Sequence, residues 1–280
     1  MKRLVTTLLF AFSLPSFVFA ASLTITPESP VQGEPVMVVI EGADISDLKR
    51  LTFAGKKILP FYYKGKPTVF IPIDLAQRPS SYLLVVEFRS GERAEKTITV
   101  VAREKISAPL GIPDKLGGNT KAAQTNLVTT LTKENAALAK VKAAVPAWWG
   151  EPFRFPVEQP VIVDTYGYSR STGSYAIAHK GTDFRAKTGT PIFAINNGVV
   201  RLAREFTVYG KTVVIDHGGG VASLSMHLSD IQVKEGQRVQ KGDSIGLAGD
   251  SGYALGPHLH LSIRINGVSI DPMKFLELFQ

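Results

Sequence analysis

The sequence contains no cysteine. That excludes a disulfide framework, removes thiolate from the available metal ligands and leaves no cysteine to carry a lipid anchor. Long apolar runs are also missing: beyond the N-terminus, no stretch is long enough to span a bilayer. No Lys/Arg run or aromatic-interleaved basic patch points to nucleic acid. The formal net charge of +8 suits an anionic polymer, but solvated surface lysines explain it more simply. Histidine is scarce, with five residues, and all five lie between positions 179 and 260.

The length of 280 residues suits two domains, and 44% hydrophobic content supplies a core for each. Lys2 and Arg3 precede an apolar run, 8–12, and Val18-Phe19-Ala20 offers small residues for a cut after Ala20. Residues 1–20 therefore read as a secretory signal peptide; Ser13 and Pro15 interrupt a run too short to be an anchor. The mature chain is expected to be exported, with the periplasm as the favoured compartment. Residues 21–103 alternate strand-like runs (23–25, 36–40, 50–53, 68–71, 82–88, 97–101) with glycine and proline turns. This spacing suggests an immunoglobulin-like β domain. It holds no histidine and no acidic cluster. It could position the rest of the chain, bind a partner or wall polymer, or cover a site.

Residues 104–150 read as a linker with one amphipathic helix packed between the domains. From 120 to 144 there is neither glycine nor proline, Asn119 or Thr120 can cap the start, and Pro146 closes it. The repeat is too short for a coiled coil. Trp148 and Trp149 fit packing anchors better than sugar-stacking platforms. Residues 151–280 return to short strands and marked turns, with Asn266-Gly267 as a hairpin turn and a short helix over 273–279. The fold class is mainly β, with a compact antiparallel domain at the C-terminus.

If 258–260 is a strand, His258 and His260 share a face while Leu259 packs behind. An isolated His-x-His is more often a pair of surface histidines. Here two further clusters accompany it, 179–183 and 226–228. A catalytic zinc commonly takes three protein ligands and keeps one position open, and without cysteine the available donors are histidine and carboxylate. His179 and Asp183, with Gly181 between them to let the backbone curl, can converge, and His260 would complete the set. His227 and His258 are then unligated neighbours, able to move a proton or stabilise an oxyanion.

Five blocks occur in order: His179-x-Gly181-x-Asp183-Phe184; Ile215-Asp216-His217-Gly218; Met226-His227-Leu228-Ser229; Val239-x-Lys241-Gly242-Asp243-x-Ile245-Gly246; and Gly252-x-x-x-Gly256-Pro257-His258-Leu259-His260. Across roughly 160–272 this run resembles the lysostaphin/LytM-type zinc metallopeptidases. Arg170, after Tyr166-Gly167-Tyr168, resembles the family's Gly-x-Arg element with Ser169 as an extra residue. The resemblance implies one Zn2+ per chain on His179, Asp183 and His260, with His227 and His258 as the catalytic pair. It implies a metalloendopeptidase cutting peptide cross-links of peptidoglycan. Two positions depart from the pattern, Ser225 two residues before His227 and Leu255 before Gly256, and both bear on the groove rather than on the metal set. His217 lies outside the set and reads as structural. Relatives that have lost ligands serve as non-catalytic activators of a cell-wall amidase, which is the alternative reading, and a wall-binding module is a third. Neither an activating protein partner nor an oligomeric state is legible.

Overall fold

In a computed structural model, which describes residues 21–144 and 146–280, the first half of the chain is built by alternation. The expected signal peptide lies outside the described residues. Strands β1 (Ser22–Thr26), β2 (Pro35–Glu41), β3 (Leu48–Phe53), β4 (Lys56–Lys57), β5 (Phe61–Tyr63), β6 (Lys66–Pro72), β7 (Ser80–Phe88) and β8 (Arg93–Val100) form two antiparallel sheets. Their orders are β1-β2-β6-β5 and β4-β3-β7-β8. In β2 the residues Val36, Val38 and Ile40 point to one face and are buried, while Met37 and Val39 between them are only partly covered. That face meets Leu51, Phe53, Leu84 and Val86 from the other sheet in one apolar core. Six strands fall where the sequence pattern puts them. The short β4 and the aromatic β5 were not expected.

The linker contributes β9 (Ser107–Pro109) and α1 (Lys121–Leu138). Thr120 caps the helix, its hydroxyl accepting from the Ala123 amide at 3.2 Å. The helix stops at Leu138, short of the expected end at 144, because the following strap bonds to the C-terminal domain instead. The Ala144 amide donates to Asp216 at 3.0 Å, and the Trp148 amide donates to the His217 carbonyl at 3.1 Å. Nor does the helix sit between the domains. Leu127 packs with Val208, and Leu138 packs with Leu202, Val214 and Met226, all of the C-terminal domain. Together with the Arg103–Asp271 ion pair, Trp149 joins the domains. Its ring lies against Phe61, Tyr63 and Phe70 of the first domain and Phe153 and Phe279 of the second. The anchor role expected for this tryptophan agrees with that packing.

The C-terminal domain comprises β10 (Ile162–Asp164), β11 (Ser169–Thr172), β12 (Tyr175–Ala178), β13 (Thr182–Arg185), β14 (Pro191–Phe193), β15 (Gly198–Phe206) and β16 (Gly210–Gly218). It continues with β17 (Val221–Ile231), β18 (Arg238–Val239), β19 (Ser244–Ala248), β20 (His258–Ile265), β21 (Val268–Ile270) and α2 (Pro272–Glu277). The main sheet runs β10-β13-β20-β17-β16-β15-β18, and all its pairings are antiparallel. The expected turn at Asn266-Gly267, both at positive φ (50° and 84°), closes the β20–β21 hairpin. The one parallel pairing in this half is β9 on β11, which lays linker backbone along the edge of the β11–β12 hairpin. Among the described residues no helix is long and apolar enough to cross a membrane.

Candidate active site

Strand pairing brings the distant sequence blocks together. In the β13–β20 ladder Asp183 faces His260 and Arg185 faces His258, and in the β17–β20 ladder Met226 faces His260. Alternation then sets His258 and His260 on one face, as the sequence suggests. His227 reaches the same place by a bulge. Between the pairs Lys211–Leu228 and Val213–Ser225, β17 carries one residue more than β16. His227 occupies it with φ at 61°, a left-handed conformation uncommon for a side chain of this size.

The donor atoms His179 Nε2, Asp183 Oδ1 and His260 Nδ1 form a triangle with edges of 3.1, 2.8 and 3.0 Å. These three residues make up a group able to hold a metal ion. Donors about a tetrahedral zinc stand roughly 3.3 Å apart, so the triangle needs to open by only a few tenths of an ångström. The tautomers also fit. His179 Nδ1 lies 2.8 Å from the Thr165 carbonyl, which can only accept, so the hydrogen sits on Nδ1 and the Nε2 lone pair is free for a cation. Two nitrogens and a carboxylate oxygen, with no sulfur, suit zinc.

Burial pushes the Asp183 carboxyl up, but the facing His179 and His260 rings outweigh it and hold the group well below the usual carboxylate range. Burial pushes the His260 imidazole down. His227 is pushed down to about 3, by burial first and then by His260 and His258, so it stays neutral. Its Nδ1 lies 2.8 Å from the Ser251 carbonyl, and that of His258 lies 2.8 Å from the Gly256 carbonyl. Both rings therefore carry their hydrogen on Nδ1 and present Nε2 as an acceptor. Their centroids are 4.9 Å apart, and His258 Nε2 is 3.9 Å from Asp183 Oδ2.

Gly181 has a reason other than backbone curl. A Cβ there would lie 2.3 Å from His260 Nε2 and 2.6 Å from the Leu261 carbonyl, so the imidazole occupies the space of a side chain. His217 stands apart from the cluster. It is fully buried, bonded to the Asn197 carbonyl and the Ser223 hydroxyl at 2.8 Å each, and pushed down to about 4 by burial. Arg170 forms an ion pair with Asp164, whose carboxylate also lies 4.0 Å from His179 Nδ1. Of the two departures from the family pattern, Leu255 lines the groove and is 73% exposed, whereas Ser225 is buried within β17.

The cluster opens into a groove of about 940 Å³. One wall carries the histidines; the other is linker, including Leu110, Gly111, Leu127 and Asn135. Thr165, Ser251 and Gly256 act on the histidines through their carbonyls, which leave no trace in side-chain type.

Residues 177–272 match peptidase family M23. Over 96 residues the chain is 43% identical to peptidoglycan DD-endopeptidase ShyA of Vibrio cholerae, covering 34% of this chain and 22% of that protein. Over 96 residues it is 41% identical to DD-carboxypeptidase/endopeptidase Mpg of Neisseria meningitidis, covering 34% of this chain and 22% of that one. These alignments thus span about a fifth of the relatives' own length. A crystal structure of a peptidase M23 from Pseudomonas aeruginosa, 27% identical, covers 90% of this chain and 96% of its own, with a TM-score of 0.61. The similarity to peptidase family M23 thus lies in the C-terminal domain, over residues 177–272.

Proposed function

We propose that the protein is an exported zinc-dependent endopeptidase that hydrolyses peptide cross-links of peptidoglycan. The observation that carries this reading is the convergence of His179, Asp183, His260, His227 and His258 at one groove. His179, Asp183 and His260 are the proposed ligands, and His227 and His258 the proposed catalytic pair. When bound, zinc supplies a Lewis acid that polarises a peptide carbonyl and makes hydroxide accessible near neutral pH. The Thr165 carbonyl orients the His179 ring toward the ion. His227 and His258 receive a proton at Nε2; once protonated, either becomes a donor that can return the proton to the departing amine. The low exposure of Asp183, His227 and His260 (8–9%) keeps bulk water from screening these interactions.

The peptidoglycan substrate is supported by the activities named for the relatives, and the periplasm by the charged, apolar and small-residue pattern of 1–20. The domain limits 21–103, 104–150 and 151–280 are supported by a first-domain core built from that domain's own residues and by the position of Trp149, where Phe61, Tyr63 and Phe70 meet the C-terminal core. The strand orders β1-β2-β6-β5 and β4-β3-β7-β8 support an immunoglobulin-like first domain. The amidase-activator reading belongs to chains lacking ligands, and this chain has the full set.

Digestion of purified peptidoglycan sacculi by the mature chain, with and without a chelator, tests the proposal. Release of fragments that have lost cross-links, abolished by the chelator, is the expected result. Zinc-loaded protein that releases nothing would overturn catalysis.

A further inference from the structure

We propose that Glu134, on the linker helix α1, is a positioning residue for His227, so that the linker is a working part of the site; this rests on the reading of His227 as catalytic. Glu134 is a buried carboxylate in a helix whose other buried residues are Ala123, Leu127 and Leu138. Burying a charge is costly unless it is bonded, and here both oxygens are used. Oε1 accepts from the Val208 amide at 3.0 Å and Oε2 from the Tyr209 amide at 3.1 Å. A carboxylate held by two successive backbone N–H groups is a strong, directional attachment. The attachment fixes the turn 207–209 between β15 and β16.

Two paths lead from that turn to His227. The Tyr209 carbonyl accepts from the His227 amide at 3.0 Å, at the residue whose left-handed backbone needs outside support. The Val208 carbonyl accepts from the Tyr253 amide at 2.9 Å, and Ser251, two residues earlier, offers its carbonyl to His227 Nδ1 at 2.8 Å. Turn and loop are in direct contact, since a Cβ on Gly210 would lie 2.5 Å from the Ser251 carbonyl oxygen. Backbone and ring of His227 are thus both referenced to the turn that Glu134 holds. The Tyr209 hydroxyl donates to Asn135 at 3.0 Å and adds a second tie to the same helix. A carboxylate that merely docked a helix would have no reason to connect twice to one histidine.

The test uses the full mature chain as Glu134→Ala and Glu134→Gln, with the exposed neighbour Lys133→Ala as control. Hydrogen exchange at the His227 amide is followed in the metal-free protein, and zinc content, thermal unfolding, kcat and KM in the loaded one. Glu134→Ala is expected to speed exchange at His227 and to lower kcat about 10- to 100-fold, the scale for losing a group that orients a working side chain, with KM and zinc content unchanged. Glu134→Gln has one acceptor oxygen for two amides and should fall between. Lys133→Ala should change nothing. An unchanged kcat or unchanged His227 exchange in a folded Glu134→Ala would overturn the inference, and Glu134→Gln decides in the same way if the alanine variant does not fold. A fall in kcat that only tracks loss of folded protein or of zinc overturns it as well. His227→Ala separates the two claims. Full turnover in that variant refutes the catalytic reading of His227, whereas an inactive His227→Ala beside unaffected Glu134 variants refutes the positioning role alone.

Discussion

The two halves of the chain are both β structures with apolar cores, but they bury different things. Within the first domain the buried polar residues are Thr52 and Thr68, neither of them ionisable. The C-terminal domain buries Asp183, Asp216, His217, His227, His260 and Asp271, the last paired with Arg103 at 3.0 Å. Each has hydrogen-bond partners, as a buried ionisable group must. Packing alone explains the first set. The second divides again. Asp216 receives Arg201 and the Ala144 and Gly218 amides, and His217 is bonded at both nitrogens, so these two are saturated by the fold. His227 keeps a free Nε2 facing a groove, and Asp183 and His260 aim their donors at a shared point. Burial of ionisable groups is therefore not itself the mark of a site; unspent bonding capacity is.

The largest effect that can break this contrast is at the metal set. His260→Ala removes one corner of a triangle whose edges are about 3 Å. It is expected to abolish both zinc retention and turnover, measured by metal analysis of the dialysed protein and by sacculus digestion. Retained zinc with wild-type turnover would mean that the saturated and unsaturated groups do not differ in role.

The sequence made the five residues at the groove legible because histidine is so scarce and because its clusters sit at strand-like spacing. Strands with clean alternation, such as 36–40, were legible for the same reason. Less was visible where long-range contact overrides local preference. The helix was expected to run on to 144, but Ala144 finds a better partner in Asp216, 72 residues away. The strand Thr182–Arg185, which carries Asp183, has no length or alternation of its own and exists because β20 pairs with it. The carbonyls of Thr165, Tyr209 and Ser251 carry no sequence signature. Glu134 stands between Lys133 and Asn135, and nothing in that local pattern marks it as buried.

A change in the first domain sharpens the comparison from the other side. Ile40 is fully buried in a core made only of apolar side chains. Ile40→Ala should destabilise that domain by about 2–5 kcal/mol. Denaturant unfolding would show it, while kcat per folded molecule and zinc content stay at wild-type values. A fall in kcat without unfolding would show that the first domain acts on the chemistry.

The smallest expected effect tests whether charge without burial matters in the C-terminal domain. Arg204 and Glu235 form an ion pair at 2.9 Å with side chains 55% and 46% exposed. The Arg204 guanidinium holds the Glu235 carboxyl below the usual carboxylate range, yet water and salt screen the pair. Exposed pairs contribute about 0.2–1 kcal/mol, so Arg204→Ala should shift the unfolding midpoint slightly, and less at high salt, with no change in turnover. The same kind of charge is decisive at Asp183 because its environment is dry and its partners are arranged around it. At Arg204 the geometry is equally good and the environment is not, so a shift as large as that of Ile40→Ala would show that geometry alone carries the energy.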